Sequence, residues 1–376
     1  MVMNQDDLQY ILKRGILAPS GDNMQPWRFK VTESHEVELH VMASLAHPFF
    51  EAGKRTLYFS AGCVIENIRL SAAQKGYRLN PIYFPEASNP SWAALLCFEK
   101  DRSLKGDDSV IRRRRTNRKF YHWNHKVHPL ILSQLSKAAS EQEGFKLHWM
   151  AEGKSSYSRI CQIVGEADQI RFENKAVFEE LPPAFRFNHK GAEETKDGLD
   201  IRTMETGPAG PFLFKLLSSW KRLKLLNHFG MSLQFNLYAR LQMMSSQACG
   251  LLVGPNYESL NFLKGGELME RIWHEITRLG LSLQPMESLP LFSLNLHLNR
   301  GKDFNETQRK KVTKLKEELF SIYGINQERC PIFLFRMGYA DSPSARSLRR
   351  PLESFLIAEP VKPDIKISEI ALSGTD

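Results

Sequence analysis

Residues 17–29 read LAPSGDNMQPWRF. Two prolines bracket a Gly-Asp-Asn turn, and a Gln and a Trp are crowded in before the chain runs on. Pro19 forbids continuation of any helix before it, and Gly, Asp and Asn tolerate the left-handed backbone that tight turns need. Ahead of the stretch, Leu8, Ile11, Leu12 and Ile16 share one helical face, with Asp6 or Asp7 as the expected cap. Behind it the spacing predicts extended runs over 27–32 and 37–41. A helix-to-strand connection does not need so many polar groups, so this one is a candidate for holding its backbone and amides against a ligand.

Working outward, a helix is predicted over 62–76 and an apolar strand over 92–98. A charged hinge at 100–108 precedes the basic run IRRRRTNRKFY (111–121), a helix near 130–140 and the strand FKLHWM (145–150). Residues 179–211, with four prolines and many charges, read as an irregular excursion of the kind that covers a site. A basic, Leu-rich segment follows at 212–229, then the apolar YARLQMMSSQACGLLVG (238–254). Leu268, Ile272, Ile276 and Leu279 share the face of a helix ending at Gly280, and CPIFLFRMGYA (330–340) is the last core strand before a charged tail. The pattern is α+β.

With 376 residues and 42% hydrophobic composition, the chain can bury a substantial core. The formal charge of +9 comes from 51 basic against 42 acidic residues, an excess that suits anionic ligands but specifies none. Five scattered cysteines without a CxxC argue against a disulfide framework or structural zinc and for a reducing compartment. The first residues lack a signal-peptide pattern, and no apolar run reaches membrane-spanning length, so a cytoplasmic chain without a membrane span is expected. His122, His125 and His128 lie three apart but lack a carboxylate or Cys cluster, so no metal is expected there. Cys249 reads as a buried thiol and not a nucleophile. The basic run at 112–115 would suit nucleic acid, but no helix-turn-helix or base-stacking aromatic arrangement accompanies it, and no nucleic-acid partner is expected.

Four stretches together resemble the FMN-dependent nitroreductase family: APSGDNMQPW (18–27), RRTNRKF (114–120), GLSLQPMES (280–288) and RMGYADSPSARSLRRPLE (336–353). In that family the corresponding patterns are an APSxxNxQPW turn, an RRSxRxF phosphate-binding start, a GLxxxPIEG loop and a carboxy-terminal strand with basic residues. Family members usually carry the arginines first and the turn shortly after, whereas here the turn is at 18 and the arginines at 114. The family's flavin lies between two subunits. The resemblance therefore implies a nitroreductase-like fold of two protomer-like halves fused in one chain around a mixed or antiparallel sheet core, sharing one flavin. The halves are expected at 1–108 and 109–358, with a lid insertion at about 179–229 in the second and a tail at 359–376. The helices at 62 and 265, both led by Gly, fit such a duplication. The chain is also similar to the nitroreductase-like domain associated with ThiF-type adenylyltransferases, through the SGDN turn and the stretch KDGLDIRTME (196–205), which makes an adenylyltransferase a possible partner.

Residue by residue, the resemblance assigns flavin contacts to Pro19, Ser20, Gly21 and Asn23 of the turn. Arg114, Arg115, Thr116 and Arg118 match the phosphate-binding start, where forked guanidinium donors suit phosphate oxygens. Pro285, Met286, Glu287 and Ser288 match the loop whose backbone amides reach the ring, and Arg346, Arg349 and Arg350 are the carboxy-terminal cations. Gln25 and Trp27 read as structural. The implied activity is FMN-dependent reduction of a small, flat acceptor by NAD(P)H in a ping-pong scheme, by a monomer (a pseudo-dimer) or a weak homodimer. The alternative is a flavin-binding protein whose covered site sequesters FMN with little turnover. The motifs require no side-chain acid or base.

Overall fold

The computed structural model describes residues 3–45, 49 and 54–357. Helix α1 (Gln5–Gly15) is capped by Asn4, whose side chain accepts from the Asp7 amide at 2.7 Å, so Asp6 and Asp7 occupy the first turn and not the cap. Strands β1 (Trp27–Val31) and β2 (Val37–Val41) form a hairpin in which buried positions alternate with partly exposed ones. Helix α2 (Arg55–Gln74) starts seven residues before the sequence expectation, because the apolar spacing begins only after its polar first turn. It leads to β3 (Tyr77–Tyr83), where buried Tyr77 and Leu79 alternate with exposed Arg78 and Asn80, and to β4 (Trp92–Lys100).

The chain continues through α3 (Ser109–Arg113), α4 (Pro129–Ser140), β5 (Lys146–Ala151), α5 (Ser155–Glu173) and α6 (Lys175–Glu179). Next come α7 (Leu181–Ala184), β6 (Phe185–Arg186), α8 (His189–Thr195) and β7 (Leu199–Asp200), so the supposed irregular excursion contains short elements. Helices α9 (Gly210–Leu217), α10 (Trp220–Asn227) and α11 (Met231–Met244) precede β8 (Ala248–Gly254) and α12 (Ser259–Arg278). The last elements are β9 (Ser282–Pro285), α13 (Ser288–Asn299), α14 (Glu306–Tyr323) and β10 (Cys330–Gly338). Every residue of β8 and β10 is buried, which is why both read as unbroken apolar runs. The expected tail at 359–376 lies outside the described residues.

Two separate four-stranded sheets result, ordered β1-β2-β4-β3 and β5-β8-β10-β9. Both are antiparallel throughout; among the described residues parallel pairing is confined to β6–β7 and to single bridges at Phe29–Leu356 and Thr116–Leu283. The same connection pattern generates each sheet: α1-β1-β2-α2-β3-β4 in one and α4-β5-β8-α12-β9-β10 in the other. In the second, α5 to α11 intervene between its first two strands, and α13 and α14 between its last two.

Helices α2 and α12 join the two layers by backbone contact. A Cβ at Gly62 would lie 1.9 Å from the Leu263 carbonyl oxygen, and one at Gly266 would lie 2.0 Å from that of Phe59. Each carbonyl sits three residues before the opposite glycine, so the two contacts are reciprocal. Beside the crossing, Arg271 donates to both Glu66 oxygens at 2.9 Å, and Arg69 bridges Glu66 and Glu267. Replacing Gly62 with Ala gains about 1 kcal/mol of helix propensity but drives a methyl into backbone. We expect Gly62→Ala and Gly266→Ala each to lose at least about 3 kcal/mol in denaturant unfolding, since neither carbonyl can move aside alone. Gly21→Ala, where an added Cβ meets nothing within 4 Å, should change stability little.

Candidate functional site

The turn that follows α1 is built on unusual backbone. Asp22, Asn23 and Gln25 all have positive φ, at 46°, 58° and 53°. Such left-handed backbone persists in side-chain-bearing residues only when surrounding bonds over-determine it. Here they do. The Gln25 amide donates to Ser20 Oγ at 3.0 Å; Gln25 Nε2 donates to the Lys196 carbonyl at 2.8 Å and to the Asn23 carbonyl at 3.2 Å. Asn23 Nδ2 donates to the carbonyls of Gly198 and Leu348, both at 3.0 Å, and its Oδ1 accepts from Arg349 Nη1. Arg349 also caps the end of α1 through the carbonyls of Ile16, Leu17 and Ala18. The turn, the 196–198 segment and the carboxy-terminal segment are thus tied in one knot.

Fourteen of the fifteen residues singled out in the sequence line one cavity of about 930 Å³: Pro19, Ser20, Gly21, Asn23, Arg114, Arg115, Thr116, Arg118, Pro285, Met286, Glu287, Ser288, Arg346 and Arg349. That volume is at the upper end for small-molecule sites. Arg350 stands behind the turn. Its backbone amide donates to Gln25 Oε1, its guanidinium donates to the Met24 and Gln25 carbonyls, and it covers the Phe355 ring, so it braces the motif.

The arginines divide by their partners. Arg114 is buried, pairs with the fully buried Glu270 at 2.8 Å, donates to the Leu17 carbonyl and lies on Trp273, so its charge is already compensated. Arg349 is committed to the turn, and burial together with Arg114 and Arg346 pulls its guanidinium down to about 9. Arg115 and Arg346 are exposed to the cavity, with no acid paired to either among the described residues. Desolvation and the neighbouring Arg114, Arg115 and Arg112 hold Arg346 below its ordinary value. Crowded cations of this kind bind an anion readily. Arg118 belongs to a different neighbourhood: it donates to the Thr203 carbonyl at 3.3 Å, burial lowers it, and Asp22 and Glu205 oppose that shift.

On the opposite wall, β9 turns directly into α13. The Met286 amide donates to the Leu334 carbonyl at 2.8 Å as the ladder's last rung, which leaves the amides after it as the open donors of this corner. The Asn23 side chain is likewise engaged by the knot, although the residue lines the cavity. The Glu287 cap position makes no side-chain capping bond, and Ser288, whose amide is the first of α13 and has no intrahelical acceptor, lines the cavity. Ser288 Oγ donates to Asp168 Oδ1, whose carboxyl burial pushes up.

The third wall includes Phe185 and Phe214, inside the lid expected at about 179–229, and four aromatic residues outside it that sequence reasoning does not single out. Phe172, Phe178, Phe185, Phe214, Phe235 and Tyr238, from α5 to α11, cover the cleft. The helical spacing of Ile160, Val164, Ala167 and Ile170 was a readable signal for α5. Arg336 was also missed: fully buried, it donates to Gln284 Oε1 at 2.8 Å and to the Gln242 and Lys119 carbonyls, and lies 3.9 Å from the Tyr121 ring centre. It clamps the 119–121 segment, α11 and β9 together. His128 caps α4, Cys249 is buried with its thiol pushed up to about 12, and no three-residue metal-holding group occurs among the described residues. No described helix is long and apolar enough to cross a membrane. The arrangement suits a ligand with an anionic end and a flat apolar body with hydrogen-bond acceptors.

No family model matches the chain. It is 25% identical over 352 residues to an uncharacterized protein of Mycobacterium tuberculosis, a match covering 92% of this chain and 47% of that protein. The chain therefore spans about half the length of that relative. Among solved structures it is similar to the FMN-dependent nitroreductase NfnB of Mycobacterium smegmatis in complex with NADPH, at 13% identity and a TM-score of 0.39, over 67% of this chain and 96% of that one. It is also similar to the FMN and NADPH-dependent nitroreductase NfnB of a Sphingopyxis strain, at 12% identity and a TM-score of 0.38, over 67% and 97%. Similarity of that depth assigns no residue here a role.

Glu287 offers a test of the corner. Its carboxylate accepts from the Leu334 amide at 2.8 Å, and burial holds it well above the usual carboxylate range. A carboxyl raised in the folded state retains its proton where the unfolded chain has lost it. Stability then falls as pH rises above the unfolded value of about 4.3. Glu287→Gln keeps an acceptor for Leu334 and removes the titration. In unfolding measured from pH 5 to pH 8, the variant should gain on wild type as pH rises; a constant difference would show that the carboxyl is not held protonated.

Proposed function

We propose that the chain is an FMN-binding oxidoreductase of the nitroreductase type, made of two related halves that share one flavin. The observation that carries the reading is the unpaired arginine crowd at Arg115 and Arg346, set in the cavity that also gathers the turn and the β9–α13 corner. A phosphate monoester would relieve that crowding, and Thr116 adds a hydroxyl beside it. Ser20 and Gly21 on one wall and the uncapped start of α13 on the other offer donors to the edge of a flat ring. Arg118, in its own neighbourhood, would favour negative charge on the reduced ring. Asn23, Arg349 and Arg350 serve by holding the turn, and Arg114 by organising the cations around Glu270.

The duplication is supported by the repeated strand order and by the reciprocal glycine crossing. In this reading 1–108 and 109–358 are the halves, and the pseudo-dimer replaces a subunit interface. The cover, expected at about 179–229, is wider and runs from α5 to α11. When bound, FMN would accept a hydride from NAD(P)H and pass electrons to a small flat acceptor that replaces the nicotinamide. The protein's share is to anchor the phosphate, hold ring acceptors and exclude water beneath the aromatic cover. Cytoplasmic residence and an adenylyltransferase partner belong to the same proposal.

The purified protein should be yellow and release FMN on denaturation. A colourless protein that fails to take up added FMN overturns the proposal. Arg115→Ala with Arg346→Ala should weaken FMN binding by about 3 kcal/mol in a fluorescence titration, because two charge-assisted contacts are lost. Unchanged affinity would move the phosphate elsewhere. Anaerobic mixing with NADPH should bleach the flavin promptly; an oxidised, inert flavin would favour sequestration beneath the aromatic cover.

A further inference from the structure

From residue 206 to residue 257 the sequence contains no Asp or Glu, yet it carries Lys215, Lys221, Arg222, Lys224 and Arg240. Helices α9, α10 and α11 occupy most of that span. Their inner side is already packed: Leu217 and Leu223 are buried with Phe178 and Leu181. The outer side is nonetheless apolar. Phe229 is 82% exposed, Phe212 74%, Leu225 62% and Leu233 55%. Lys215, Lys221, Arg222 and Lys224 are exposed on the same helices, and no ion pair engages them among the described residues.

The same surface rims the cavity. Leu213, Leu237, Tyr238 and Leu241 are exposed and also line the cleft, so the apolar face continues inward. Exposed large apolar side chains gathered on neighbouring helices mark an interaction site. Its charge selects the occupant. A second copy of the chain docked by the same face would set these cations against one another. An anionic lipid surface would accept both the bulky apolar side chains at the headgroup boundary and the lysines and arginine beside them.

We propose that the α9–α11 face docks on an anionic lipid surface, with the mouth of the cavity turned toward the lipid so that a lipid-dissolved molecule can enter. That this molecule is the electron acceptor rests on the flavin proposal; the docking does not. The test is flotation of the full chain with vesicles of phosphatidylcholine alone or with about one third phosphatidylglycerol, scored by protein mass and not by flavin colour. Binding should be about tenfold stronger or more to the anionic vesicles and should weaken with salt. Phe212→Ser, Leu225→Ser and Phe229→Ser combined should lower it about tenfold with melting unchanged, because all three side chains are exposed. Lys221→Gln, Arg222→Gln and Lys224→Gln combined should abolish the preference for anionic lipid. Absence of flotation with anionic vesicles, or flotation indifferent to both sets, overturns the proposal. So does sedimentation showing a dimer that the serine variants dissociate, which would make a second copy the occupant. A colourless protein that floats as described would keep the docking and remove the flavin.

Discussion

Everything in this molecule hangs on two glycines. Gly62 and Gly266 let α2 and α12 approach until each helix backbone touches a carbonyl of the other. Ordinary helix packing keeps axes about 8–10 Å apart through side chains, and that cushion is absent at this point. The close approach sets the distance between the two sheets, because each helix lies in the connection between the second and third strands of its own sheet. Four residues beyond Gly266 on the same helix, Glu270 pairs with Arg114. The helix that carries the crossing thus also carries the carboxylate that holds one of the cations lining the cavity.

Much of the frame could be read in the chain. The buried runs of β8 and β10, the α12 stripe and the end of α1 at Pro19 follow from periodicity and from proline chemistry. The repeat was less legible. Between β1 and β2 the chain needs only a five-residue turn, 32–36, whereas between the corresponding β5 and β8 it carries seven helices. Spacing along the sequence is destroyed by that insertion even though strand order survives it. Strand β3 is hidden by its brevity, since only Tyr77 and Leu79 of its seven residues are buried, while α5 has a readable apolar spacing but takes partners such as Glu318 for Arg159 from far along the chain.

The candidate site shows where local patterns stop being informative. Sequence brings Asn23, Met286, Arg114 and Arg350 forward because they match a pattern, but hydrogen-bonding capacity is decided by neighbours hundreds of residues away. Asn23 spends its amide on Gly198, Leu348 and Arg349; Met286 spends its N–H on β10; Arg114 is neutralised by Glu270. Arg115 and Arg346, which come from the same two motifs, are left without an acidic partner among the described residues. A buried side chain has few donors to give, and those used to hold a strained turn cannot also hold a ligand. Residue type names candidates; the accounting of bonds separates scaffold from contact.

The same accounting explains why the fold tolerates so many buried guanidinium groups. Among the described residues no carboxylate pairs with Arg336, and an unpaired charge in the interior is costly. Its donors are met instead by two carbonyls, an amide oxygen and a hydroxyl, with Tyr121 covering its face. The Gln242 carbonyl lies in the last turn of α11, where partial negative charge favours a cation, so one guanidinium ties the end of α11 to the 119 segment and to β9. Arg349 repeats the device at the end of α1, taking the carbonyls of Ile16, Leu17 and Ala18. In each case a helix terminus next to the cavity is closed by an arginine from the β10 strand or the segment after it. Rigid walls on both sides of the cleft thus come from one stretch of chain, residues 336–350. The cover from α5 to α11 is joined to that clamp through Gln242, Ser245 and Glu205, the last accepting from the Ser344 amide and hydroxyl. The helices from α5 to α11 and the 336–350 stretch are therefore held to each other by side-chain bonds at two separate places, Arg336 and Ser344.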